Sequence, residues 1–377
     1  MNGVIPYAMV GGGVGSFIGA VHRHAINLDG RARLVAGAFS ATAARSAESG
    51  RTLGIDPDRA YASYTELIAR ESDRGDRPAF VVVVTPNDTH YPITKACLEG
   101  GFSVVCDKPF TITSAQAREL EALANQRELL CVVTYNYSGY PMVREARERV
   151  TAGEIGKVRK VFAEYHQGWL ATDLERSGQK QASWRTDPSR AGIGGSLGDI
   201  GTHAEQLVRF VTGLEIESVA ADLSSFVAGR VLDDDASVLM RLSGGAKGTL
   251  TCSQVCVGEA NGLSLRVYGE TGGLVWRQEQ PEQLELTRPD GSRMVVSRGG
   301  DGLADSTSAA TRLPGGHPEG FIEAFGNLYR GVCDALSSEP ESSLAKPLPQ
   351  ATEGEAGVRF VEACVESAKR DSEWTRV

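Results

Sequence analysis

The chain has 377 residues, 41% hydrophobic and 23% charged, with a net charge of −9 at neutral pH. That length exceeds what one core ordinarily serves, so two domains are expected, and the composition is that of a packed globular protein. The acidic balance argues against a nucleic-acid partner, and with neither an apolar run near 18 residues nor a leader-like start, no membrane is expected and the chain reads as cytoplasmic.

An apolar run at Val4–Val10 leads into Gly11-Gly12-Gly13-Val14-Gly15-Ser16, then a helical pattern through Phe17, Ile18 and Val21. This strand, turn and helix reads as G-x-G-x-x-S on Gly11, Gly13 and Ser16, with Val14 and Gly15 inside the turn. Such glycines let a pyrophosphate approach the N–H groups at a helix start; a plain strand-to-helix turn is the alternative. A second strand, Ala32–Ala38, ends where an acid that bonds a ribose would stand. Phe39-Ser40 stands there instead, with Arg45 five residues beyond Ser40. An acid would repel a 2′-phosphate, whereas a hydroxyl and a guanidinium could accept one, so NAD and NADP both stay open. Arg45 as a solvated helix residue is the competing reading.

Phe80–Val84 reads as a fully buried parallel strand. Thr85-Pro86-Asn87-Asp88-Thr89-His90 follows at its carboxyl end, where ligands bind in open α/β sheets; helix capping by Asn87 or Asp88 competes with that role. Phe102–Cys106 leads into Asp107-Lys108-Pro109. A lysine there can hold a substrate oxygen or lower the pKa of a hydroxyl. Leu129–Thr134 is a further strand, followed by Tyr135-Asn136-Tyr137. The alternation over residues 4–134 predicts a doubly wound parallel sheet.

Beyond about residue 138 the pattern changes. A helix near 140–151 precedes the strand Val158–Tyr165, then Gly168-Trp169 and, after a polar loop, Trp184-Arg185. The two tryptophans could stack on a sugar face or simply pack. Gly192–Glu205 is glycine-rich and opens a helix of roughly 199–212. Asp199 and His203, four apart, then share a face, and the carboxylate can orient the imidazole for proton transfer. A capped helix with a packed histidine is the plain alternative. Alternating runs near 216–228, 235–242, 247–256, 262–268, 273–278, 283–288 and 292–297 predict a mostly antiparallel sheet. Residues 298–316 read as a surface loop, 317–336 as a helix, Glu339–Lys346 as polar and extended, and 351–369 as a last helix. The seven cysteines lie largely in apolar runs and read as reduced. Cys252 and Cys256 lack further ligands at zinc-like spacing, so no metal is expected.

In combination, Gly11–Ser16, Thr85-Pro86-Asn87 with His90, Asp107-Lys108-Pro109 and Gly198-Asp199-Ile200-Gly201-Thr202-His203 make the chain resemble the Gfo/Idh/MocA family of sugar and cyclitol oxidoreductases. The resemblance runs from the first strand to the last helix. It implies an N-terminal Rossmann domain over 1–135 with a doubly wound parallel sheet. It implies a C-terminal α/β domain over 136–377 with a large, mostly antiparallel open sheet, the last helix being a candidate to return to the first domain. It also implies a nicotinamide cofactor, NAD or NADP, a sugar or polyol substrate, and a homodimer or homotetramer formed through the open sheet. Residue by residue, Lys108, Asp199 and His203 are the implied catalytic group. Gly11, Gly13, Val14, Gly15 and Ser16, with Ser40, Arg45, Thr85, Pro86, Asn87, His90, Asp107, Lys108 and Asn136, are the candidate cofactor contacts. Lys108, Tyr165, Trp184, Arg185, Asp199 and His203 are the candidate substrate contacts. The sequence departs from the family pattern in Asp107 for a glutamate, Ser16 for the third glycine, and the missing acid after the second strand. An NAD-dependent glycosidase and a non-catalytic dinucleotide sensor are the alternatives.

Overall fold

The computed structural model describes residues 3–337, 342, 344, 346 and 348–377. Most of the segment expected to be extended, Glu339–Lys346, lies outside the described residues. Two compact units emerge, the first from Met1–Thr111, Ala115–Gly139 and Phe321–Glu355, the second from Ile112–Ser114, Tyr140–Gly320 and Ala356–Val377.

In the first unit, strands β1 (Ile5–Gly11), β2 (Ala32–Ala38), β3 (Phe80–Val84), β4 (Ser103–Cys106) and β5 (Cys131–Val133) form one sheet in the order β2-β1-β3-β4-β5. Every pairing in it is parallel. All five residues of β3 are buried, as a central parallel strand covered on both faces requires. Helices α1 (Phe17–Asn27), α2 (Ala43–Thr52), α3 (Tyr64–Glu71), α4 (His90–Glu99) and α5 (Ser114–Gln126) lie between the strands in the chain.

In the second unit, helix α6 (Pro141–Thr151) and strand β6 (Lys160–His166) come first, followed by the short helices α7 (Lys180–Arg185) and α8 (Pro188–Ala191) and by α9 (Thr202–Thr212). Strands β7 (Ile216–Ser224), β8 (Asp235–Leu242), β9 (Lys247–Ser253), β10 (Gly262–Tyr268), β11 (Gly273–Arg277), β12 (Gln283–Thr287) and β13 (Arg293–Ser297) follow, and β14 (Thr375–Arg376) closes the sheet. The nine-stranded order is β13-β12-β11-β10-β6-β9-β8-β7-β14. Within this sheet, among the described residues, only β6 and β9 pair in parallel. Burial alternates along β6, β8 and β10, so one face is covered, and α6 and α9 lie against it.

Two expectations need correction. The stretch 298–316 is not all loop: it carries the helix α10 (Asp305–Ala309). Ser306 Oγ donates to Glu148 and Thr307 Oγ1 to Glu145 of α6. A short polar helix held by side-chain bonds has no apolar period to announce it. A single domain boundary at 135/136 also misplaces α11 (Phe321–Leu336), which belongs to the first unit. Its Phe325, Leu328, Tyr329 and Val332 pack with Tyr7, Met9, Phe80 and Val82 of β1 and β3. The remaining helix, α12 (Ala351–Lys369), begins in the first unit and ends in the second.

The described cysteines are all free thiols, and all but the half-buried Cys256 are buried. No helix of the described residues is long and apolar enough to cross a membrane. None of their side-chain clusters has three or more His, Cys, Asp or Glu placed to hold a metal.

Candidate active site

In the first unit the phosphate turn starts where β1 runs out. Gly11, Gly12 and Gly15 have φ of 81°, 68° and 82°, a region open mainly to glycine. Gly13 donates its N–H to Phe39 O at 3.2 Å, which ties the turn to the end of β2. A Cβ on Gly13 would come within 2.7 Å of that oxygen. Val14 is exposed, and its N–H donates to Ser49 Oγ at 3.2 Å. Nothing lies within 4 Å of where a Cβ on Gly15 would stand. The turn therefore leaves open room before the start of α1, as a pyrophosphate needs.

Ser16 does not take the third glycine's packing role. It is the N-cap of α1, its Oγ accepting from Gly19 N at 3.2 Å. The close approach of helix to turn falls on Gly19, whose Cβ would overlap Gly12 Cα. The template spacing missed Gly19; the cap serine followed three residues later by glycine was the available signal. Ser40 is half-buried just past β2, with its Oγ accepting from Thr42 N at 3.4 Å, and Arg45 is exposed in the first turn of α2.

The carboxyl ends of β3, β4 and β5 bring the next group together. Thr85 and Pro86 are half-buried and Asn87 is buried. Thr89 Oγ1 bonds Thr85 Oγ1 and Pro86 O, both at 2.7 Å. His90, buried, reaches Thr85 O through Nε2 and Pro109 O through Nδ1, each at 2.8 Å. Burial alone would lower its pKa, but Cys106, Asp107 and the Pro109 carbonyl outweigh it and raise the imidazole to about 9. Asp107 Oδ1 accepts from Lys108 N at 3.0 Å and from Thr134 Oγ1 at 2.7 Å. The shorter acid thus joins the ends of β4 and β5 and fixes the backbone of Lys108, which is half-buried. Asn136 is 2% exposed, and its Nδ2 meets no acceptor among the described residues. That buried donor, the open glycine turn and the cationic Lys108 fit a dinucleotide.

In the second unit the glycine-rich segment enters a π-helical turn at Leu197–Gly201, which continues into α9. Such turns are frequent at functional sites. Asp199 Oδ2 accepts from Arg185 Nε at 3.2 Å and from Gln254 Nε2 at 2.9 Å. The Arg185 guanidinium lies 4.3 Å from the centre of the Trp184 ring. His203 is 6% exposed, its ring 6.2 Å from that of Tyr165. Tyr165 Oη donates to Asn261 Oδ1 at 2.7 Å, Gln167 Nε2 to the same oxygen at 2.8 Å, and Trp169 Nε1 to Gln167 Oε1 at 3.0 Å. Asp199, Arg185 and Trp184 thus stand with Gln254, and His203 with Tyr165, Asn261, Gln167 and Trp169; sequence reasoning passed over Gln167, Gln254 and Asn261. Tyr165, Gln167 and Trp169 are spaced by two, the spacing of one face of extended chain, so part of the signal was present. A buried imidazole, a bonded carboxylate, amides and indoles in one place suit a small ligand rich in hydroxyls.

Residues 5–149 match the oxidoreductase family with the NAD-binding Rossmann fold, and residues 143–275 match the GFO/IDH/MocA C-terminal domain. The chain is 37% identical over 375 residues to the uncharacterized oxidoreductase YfiI of Bacillus subtilis, covering 98% of this chain and 95% of that one. It is 27% identical over 229 residues, 55% of this chain and 57% of the relative, to levoglucosan dehydrogenase of Pseudarthrobacter phenanthrenivorans. Its fold is similar to that of an inositol dehydrogenase homolog from Azotobacter vinelandii, solved with NADH and myo-inositol. The TM-score is 0.91 at 37% identity, over 99% of this chain and 98% of that one. The two-part architecture and the end-to-end likeness agree: the chain belongs to the Gfo/Idh/MocA family of oxidoreductases, dehydrogenases built on an NAD-binding Rossmann domain.

Proposed function

We propose that the protein reversibly oxidises a secondary alcohol of a cyclitol, sugar or sugar derivative. The observation that carries this reading is the second unit's cluster, where a buried imidazole and a bonded carboxylate stand with amides and indoles. Relatives named for levoglucosan and inositol support the substrate class.

Bound NAD or NADP supplies the acceptor for the hydride that leaves the alcohol carbon. His203 takes the hydroxyl proton. Asp199, kept in place by Arg185 and Gln254, sets the orientation and charge of that base. Lys108 donates to the reacting oxygen and stabilises the negative charge that builds there. Gly11, Gly13 and Gly15 admit the pyrophosphate to the start of α1, and Asn136, Thr85 and Asn87 contact the nicotinamide half. Ser40 and Arg45 lie beyond β2, where a 2′-phosphate would be met. Trp184, Arg185 and Tyr165 line the substrate side. The uncovered face of the nine-stranded sheet, which includes the exposed Leu239, is the surface for a homodimer or homotetramer.

A nicotinamide-absorbance screen with NAD and with NADP against inositols, aldoses and anhydrosugars tests the reading. Turnover of at least one polyol is expected. Dinucleotide binding with no turnover over the whole panel would overturn it.

A further inference from the structure

Asp233 lies in the turn before β8 and belongs to none of the motifs above. Its carboxylate is spent entirely on the segment that leads into Asp199. Oδ1 accepts from Gly195 N at 2.6 Å. Oδ2 accepts from Leu197 N and from Ser196 Oγ, each at 2.8 Å. The backbone joins in: Asp233 O accepts from Ser196 N at 2.8 Å. This contact is possible only because residue 195 is glycine, since a Cβ there would overlap Asp233 O.

A helix leaves its first N–H groups without partners inside the helix. Here the π turn takes no cap from a neighbouring side chain, because Ser196 makes none and donates instead to Asp233. Its cap is brought in from a position 36 to 38 residues further along the chain. The next residue acts on the other side of Asp199. Asp234 O accepts from Gln254 N at 2.9 Å, and Gln254 Nε2 holds the Asp199 carboxylate at 2.9 Å. The antiparallel pairing of β8 with β9, Asp235 opposite Ser253, fixes that placement. The pair 233–234 therefore sets both the backbone entering the turn and the amide that holds its carboxylate.

We propose that Asp233 is a positioning residue for His203, setting through the π turn where the imidazole stands. The proposal rests on the reading of His203 as the base, and its test separates the two. Asn at 233 keeps the shape but turns an N–H₂ group toward backbone N–H donors. Asp233→Asn is expected to lower kcat by roughly 10- to 100-fold, with the KM for the polyol and the Kd for NAD within about 3-fold. The assay uses whichever polyol of the screen the unsubstituted protein turns over fastest. In the His203→Ala background the same substitution is expected to add almost nothing, as for two residues that act as one unit. Near-normal kcat in Asp233→Asn, or a full additional loss in the double variant, would overturn the proposal.

A readout without substrate uses protein labelled at the ring carbons of its six histidines. The His203 resonance, identified by its loss in His203→Ala, is expected to move in Asp233→Asn while those of His24 and His317 stay. An unmoved His203 resonance rejects the positioning role even if no polyol is turned over. Absence of turnover by the unsubstituted protein over the whole panel rejects the polyol-oxidation reading alone. If Asp233→Asn does not fold, Ser196→Ala removes one donor and is expected to give a smaller shift of the same resonance; no shift would count against the proposal.

Discussion

A base that works near neutral pH must hold its proton with an affinity close to that of an unperturbed imidazole. Histidine as a residue type meets this, and a cation that stabilises the oxygen completes the requirement for alcohol oxidation. His203→Ala and Lys108→Ala are each expected to lower kcat by roughly 10²- to 10⁴-fold with NAD binding retained. Steady-state kinetics with dinucleotide titration checks this; near-normal turnover in either removes that residue from the mechanism. Arg45→Ala is expected to raise the KM for NADP and leave that for NAD in place. Equal effects on the two, or none, would show that Arg45 is only a solvated helix residue. The charged residues proposed for the chemistry stand out in the sequence because each lies beside a strand end or a glycine run, where chemistry has few bland explanations. Asp233, Gln254 and Asn261 were not, because their partners are set by which strands pair, and a linear reading carries no pairing.

At the scale of elements, the glycine turn shows where template matching stops. The spacing G-x-G-x-x-S put the packing role on Ser16, but a helix begins where its cap is, and the cap is Ser16. Gly19, inside α1, then meets Gly12. Gly19→Val must push α1 away from the turn, an overpacking that costs about 1–3 kcal/mol. A lower Tm together with at least about 10-fold weaker NAD binding is expected, since a displaced α1 moves its N–H groups from the pyrophosphate. Unchanged calorimetric binding would mean that the turn does not depend on this contact. The strands and most helices were readable from period and breaker residues. The π-helical turn and α10 were not: the first has the residue pattern of an α-helix, and the second has no apolar face.

At the scale of the molecule, two buried histidines of the first unit oppose each other in pH. His22 on α1 bonds Tyr329 Oη of α11 through Nδ1 at 2.5 Å. Burial, against the pull of Asp107, lowers its pKa from 6.5 to about 4. A depressed imidazole leaves the unfolded chain to bind the proton first, so stability falls as pH drops from about 6.5 toward 4, by up to about 3 kcal/mol. His90 has the opposite sign: its folded pKa of about 9 gives stability that is complete below 6.5 and lost as pH rises through 9. Thermal unfolding followed by circular dichroism is expected to give the highest midpoint near pH 6.5. His22→Gln should flatten the acid side and His90→Gln the alkaline side. If both variants keep the unsubstituted slopes, other groups control the pH dependence.

The return of α11 to the first unit also has a temporal meaning. A ribosome delivers β1 to β5 long before residues 321–336 exist, so Tyr7, Met9, Phe80 and Val82 emerge without Phe325, Leu328, Tyr329 and Val332 to cover them. The first unit cannot finish folding as it is made, as an N-terminal domain usually does. It must wait, with an apolar sheet face uncovered, while the Tyr140–Gly320 part of the second unit is synthesised. A fragment ending at residue 139 is therefore expected to aggregate, and supplying 321–355 in trans or fused to its end should rescue it.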